Sequence, residues 1–170
     1  MTPELILMES VRNGSPVPRA LFHESCDETV STVLLSSGFS VAEVEELLAE
    51  LDTLLFENDA FYRHDPEKVA FGDFLLEQLC RCVRRRGEHR VPDRAKWDEE
   101  WKKQVLRQSL LKLRREMTPD EYLAFEVYVV EGKPAREAAV LSSLSPGMVY
   151  LVKTRALKRL RVLRHEFEAV

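Results

Sequence analysis

The stretch from Lys133 to Arg164, KPAREAAVLSSLSPGMVYLVKTRALKRLRVLR, concentrates the residues best suited to chemistry with a polyanion. Lys153, Arg155, Lys158, Arg159, Arg161 and Arg164 follow one another with no carboxylate between them. Cations at this density displace the counterions of a phosphate backbone, which gives affinity and salt dependence. Between them Val149, Val152, Ala156, Leu160 and Leu163 recur at intervals of three and four, the stripe of a helix anchored along one side. Ser145 is placed to cap that helix, and Pro146 suits its first position, where a missing N–H costs nothing. A shorter helix precedes it. That pair is the apparatus of a helix-turn-helix, whose second helix enters a DNA major groove.

Other chemistries find little support. His23, His64, His89 and His165 are scattered, with no Ser, Asp or Cys partner at a catalytic spacing. There is no glycine-rich phosphate loop and no metal motif, so no metal, no cofactor and no catalysis are expected. Cys26, Cys80 and Cys82 form an odd set without finger spacing and suit buried small hydrophobes. No apolar run approaches a membrane span, and MTPELILMES lacks the pattern of a signal peptide. A cytoplasmic location is expected.

The net charge of −4 conceals an asymmetry. Residues 1–100 carry 11 Lys and Arg against 21 Asp and Glu, whereas residues 101–170 carry 14 against 8. Nucleic acid repels the first half and attracts the second, so the two halves have different partners.

The elements that must position these residues are helical throughout. Ser40 and Glu43 form a capping box that opens a segment with Val41, Val44, Leu47, Leu48, Leu51, Leu54 and Leu55 on one side. Glu43, Glu46, Glu50 and Glu57 fall on or near the other. Residues 19–37 give a weaker amphipathic pattern. After a turn at His64-Asp65-Pro66, Phe71, Phe74, Leu75, Leu79 and Val83 mark a helix that stops at Arg84–Arg86 and Gly87. Residues 87–98 are polar and aperiodic, as in a connector. Trp101, Val105, Leu106, Leu110, Leu113 and Met117 mark the next helix. Thr118 and Glu121 cap another, apolar nearly all round and so expected to sit centrally. The fold class is all-α: two small helical domains, the second a helix-turn-helix.

Taken together, SVAEVEELLAELDTLLFEN, DPEKVAFGDFLLEQLCRCVRRR and the C-terminal pair of helices resemble the sigma-70 family, in its small extracytoplasmic-function type. The likeness spans roughly residues 19–165. Its most specific part is Glu137, Ala139, Ser145, Gly147, Val149, Arg155-Ala156 and Leu160-Arg161 at the family's spacings, and WDEEW looks like a lead-in of one branch. The resemblance implies a polymerase- and −10-contacting domain at 1–87, a linker at 88–98 and a −35-contacting domain at 99–170. It implies core RNA polymerase, promoter DNA and an anti-sigma factor as partners. Glu43, Glu46 and Glu50 would meet the polymerase. Ser145, Gly147, Met148, Tyr150, Leu151, Thr154, Arg155 and Lys158 would meet duplex DNA, with Arg155 and Lys158 mainly on phosphates. Arg81, Arg84 and Arg85 either face the promoter or merely end a helix. Phe71, Phe74, Trp97 and Trp101 suit either core packing or stacking on unpaired bases.

Three departures from the family's pattern stand out. Ser142 and Ser143 occupy the places of a Leu-Gly pair, at an expected loss on the order of 2 kcal/mol of core burial and with a strained turn. Tyr150 and Leu151 replace polar or basic residues. Gly72 stands where arginine is usual. Two alternatives to a sigma factor remain open: a stand-alone regulator in which only 99–170 touches DNA, and a sigma-like adaptor without promoter recognition.

Overall fold

The computed structural model describes residues 7, 9–10, 13, 18–65 and 67–168. Pro66, in the expected turn, and most of the first seventeen residues, including most of MTPELILMES, lie outside them. Among the described residues there are seven α-helices and no strand, so the protein is all-α. In chain order they are α1 (Arg19–Ser36), α2 (Val41–Asp52), α3 (Phe71–Arg85), α4 (Arg94–Glu116), α5 (Pro119–Phe125), α6 (Ala135–Ser142) and α7 (Pro146–Glu168). Two compact units result, Met1–Leu106 with Phe167–Val170, and Arg107–Glu166.

The first unit gathers α1, α2, α3 and the start of α4 around an aromatic core. Val30, Val33, Leu47, Leu55, Phe71, Leu75, Leu79 and Trp97 are fully buried. The capping box forms as expected: Ser40 Oγ accepts from the Glu43 N–H, and the Glu43 carboxylate accepts from the Ser40 N–H. Val41, assigned to the buried side, is instead exposed at the first position of α2. A turn of π-helix, Thr53–Glu57, continues α2 and carries Leu54 and Leu55 inward.

The expected connector is not loose. Arg90 donates to the Gly38 carbonyl at 2.8 Å and to Glu43 at 2.6 Å, and its guanidinium lies 4.3 Å from the Phe39 ring centre. Asp93 then caps α4 by accepting from the Ala95 N–H, and its own N–H donates to Ser37 Oγ. Helix therefore begins at Arg94, inside the span read as a linker. The two units divide within α4, at Leu106 and Arg107, not across residues 88–98. Trp97 is the physical reason: it is buried in the first unit, and its Nε1 donates to the Gly72 carbonyl at 3.1 Å.

In the second unit Thr118 and Glu121 cap α5 reciprocally, with Pro119 at its first position. The segment expected to be apolar and central is only half so. Ala124, Phe125 and Val127 are buried, but a π-turn at Glu126–Val130 rotates Val130 into solvent. α5 packs on α6, whose Ala135, Ala138 and Ala139 are buried. Small side chains of this kind let helices approach closely.

Candidate nucleic-acid interface

α6 and α7 are joined by three residues, Ser143 to Ser145. Ser143 adopts a left-handed backbone (φ 57°), and the Leu144 N–H closes the turn on the Ala139 carbonyl at 3.1 Å. Ser145 Oγ accepts from the Met148 N–H at 3.2 Å, the bond a helix cap requires, worth about 1 kcal/mol. Ser142 fills its apolar site as a satisfied polar residue: it is buried, and its hydroxyl donates to the Ala138 carbonyl at 2.6 Å.

The stripe Val149, Val152, Ala156 and Leu163 is buried, with Leu160 half-buried beside it. Ser145, Gly147, Met148, Tyr150, Leu151, Thr154, Arg155 and Lys158 are all exposed along the first turns of α7. Burial thus sets the candidate DNA contacts on the solvent side.

The cations divide into two groups, which sequence alone did not distinguish. Arg155 donates to Glu121 at 2.5 Å, and Arg159 chelates Glu116 with bonds of 2.6 and 2.7 Å and lies 3.6 Å from Glu166. Lys153 Nζ stands 5.1 Å from the Tyr128 ring centre. The Arg159 guanidinium holds the Glu116 carboxyl below its usual range. Glu121 is lowered first by the Thr118 backbone N–H it accepts, with Arg155 adding to that against partial burial. Lys158 and Arg161 are exposed and form no ion pair among the described residues.

In the first unit Arg81, Arg84 and Arg85 share an exposed side of α3 at spacings of three and four. Arg81 lies 3.5 Å from Glu77, while Arg84 and Arg85 are unpaired among the described residues. Arg86 turns away to Glu46 and Glu50. Glu43 is taken by Arg90, which with the Ser40 N–H holds its carboxyl down at about 2. All three carboxylates assigned to the polymerase are therefore bound by arginines of their own unit, from 36 to 47 residues further along.

Two further arrangements had no signature in the sequence. A cleft of about 510 Å³ opens between the loop after the Thr53–Glu57 turn and α3, lined by Arg63, His64, Lys68, Phe74, Gln78 and Arg81, among others. His64 lies against Phe74 with ring centres 4.4 Å apart, and Gln78 is buried with a carboxamide oxygen that has no partner. Separately, His23, which has no partner at a catalytic spacing in the sequence, bonds Asp27 through Nδ1 at 3.0 Å and Asp52 through Nε2 at 2.7 Å. Asp52 also accepts from Arg19.

Phe71, Phe74 and Trp97 are core residues, and Trp101 is half-buried with its ring 5.7 Å from Trp97, nearly parallel to it. Cys26 and Cys82 are buried and Cys80 partly so; none is in a disulfide. Burial pushes the Cys82 thiol up to about 11, which favours the thiol over the thiolate. Among the described residues no cluster of His, Cys, Asp or Glu could hold a metal ion, and no helix is long and apolar enough to cross a membrane.

No family model matches this chain, and no curated protein or solved structure matches it.

Proposed function

We propose that the chain is a sigma-type transcription initiation factor acting in the cytoplasm. Its first unit would bind core RNA polymerase and unpaired promoter DNA, and its second would dock α7 on upstream duplex. The observation that carries this reading is α7: a Ser145-capped helix behind a three-residue turn, anchored on one side, with Lys158 and Arg161 on the other, unpaired among the described residues. The cleft beside α3 supports the first unit's role. Arg63 there suits phosphate, Lys68 and Arg81 being paired with Asp65 and Glu77, and the His64 ring with the unpartnered Gln78 carboxamide oxygen suits an unpaired base. Such a factor works by binding energy. It traps opened bases and leaves bond making to the polymerase. An anti-sigma partner belongs to the same proposal.

One observation favours a second reading, a sigma-like adaptor without promoter recognition. Arg155 and Arg159 are neutralised, and the first turns of α7 are apolar. Gel filtration of the chain with bacterial core polymerase, followed by addition of partly opened promoter DNA, separates the two. A sigma factor gives a ternary complex with the DNA; an adaptor gives only the binary one. Migration of the chain apart from polymerase would overturn both.

A further inference from the structure

The first two turns of α7 present a solvent face without any forked hydrogen-bond donor. Met148, Tyr150 and Leu151 are 38, 54 and 49% exposed, which is unusual for three large apolar side chains so close together. Thr154, one turn beyond Tyr150, donates its hydroxyl to the Tyr150 carbonyl at 3.1 Å. Its proton is spent within the helix, so towards solvent it offers a methyl group and an acceptor oxygen but no donor. The Tyr150 ring is braced edge-on by Tyr128, with ring centres 5.6 Å apart. The first guanidinium along α7, Arg155, is held by Glu121. Lys158 and Arg161 follow on the same side, and α7 carries no carboxylate before Glu166.

Guanine and adenine edges call for the donor forks of Arg, Asn or Gln, and this face has none available. In the major groove the base-edge group that hydrocarbon recognises is the C5 methyl of thymine. Free cations one and two turns further on suit the flanking phosphates. A protein helix could also cover an apolar face, but the charge pattern favours a polyanion. Resting on the DNA-binding role proposed above, we infer that α7 recognises thymine methyl groups. Met148, Leu151 and the Thr154 methyl are the contacts, and Lys158 and Arg161 hold the adjoining phosphates.

The test uses the full chain with core polymerase and a pool of random-sequence duplexes. Bound duplexes are sequenced, then resynthesised with deoxyuridine in place of thymidine, which removes only the methyl. Thymines at fixed positions are expected, with affinity falling roughly fourfold for each methyl that is buried. Leu151→Ala should erase part of the difference between the thymidine and deoxyuridine duplexes. Lys158→Ala should weaken both equally. Selected duplexes that bind equally well with deoxyuridine would overturn methyl recognition while leaving DNA binding intact. Retention of no duplex at all, while polymerase still binds, would overturn the DNA-binding reading and this inference with it.

Discussion

Arg155 lies on the exposed side of α7, and its guanidinium donates to the Glu121 carboxylate at 2.5 Å. The carboxylate that caps α5 therefore also neutralises a cation that the sequence assigns to DNA. Glu121→Gln keeps the capping box, since glutamine serves at that position, and releases Arg155. Duplex affinity at low salt should rise about two- to fivefold, as an exposed pair of this kind warrants. The slope of log affinity against log salt should steepen by about one. A titration of wild type and variant across salt concentrations checks both.

Gly72 owes its identity to a tryptophan. A Cβ there would lie 2.6 Å from Cε2 of Trp101, while the Gly72 carbonyl accepts from Trp97. Glycine in place of the arginine that the resemblance implied is thus tied to the second tryptophan of WDEEW, whose indole occupies the space. Gly72→Ala should cost about 1–3 kcal/mol by overpacking, read from urea denaturation. Adding Trp101→Leu should recover part of that loss, a non-additivity expected of residues in contact.

Ser143 is a non-glycine residue in the left-handed region. Its side chain is exposed, so little packing is at stake. Ser143→Gly should stabilise the second unit by about 1 kcal/mol, the strain a Cβ carries in that region. The thermal midpoint would rise accordingly; a fall would mean that the serine makes a contact of its own.

His23 gives the first unit a pH dependence. Burial alone would push its imidazole down, but hydrogen bonds to Asp52 and Asp27 outweigh burial and hold its pKa above the ordinary value. A group raised on folding stabilises most below its unfolded pKa, about 6.5, and that stabilisation is lost as pH rises through the folded value. Asp52 runs the other way. Arg19 lowers its pKa first, with His23 adding to that, so its contribution fades only when acid reaches its depressed value. The urea midpoint should fall between about pH 6 and pH 8 in the wild type and stay flat in His23→Gln over the same range.

The local grammar of this fold was legible in the sequence. Ser40 with Glu43, Thr118 with Glu121, and Ser145 with Pro146 each open a helix where their types and spacing say they should. The buried stripe of α7 was legible for the same reason: periodicity is a local property. Partners far apart in sequence were not. Arg86 and Arg90 read as a helix stop and a polar connector, yet they bind Glu46, Glu50 and Glu43 across some forty residues. A carboxylate paired with a distant arginine and one facing water have the same signature. The cleft beside α3 was hidden for a related cause, because its lining comes from a loop and a helix that only the fold brings together. The linker was misplaced because polarity between 87 and 98 suggested solvent, whereas Arg90 and Trp97 are anchors.

Promoter-directed initiation is read from where transcription begins. Bacterial core polymerase is incubated with a library of DNA fragments, with and without the chain, and the 5′ ends of the transcripts are sequenced. Discrete start sites should arise only with the chain, share an upstream element, and weaken severalfold in the Lys158→Ala, Arg161→Ala double variant. An unchanged distribution of 5′ ends, with the chain present and folded, would contradict the sigma reading.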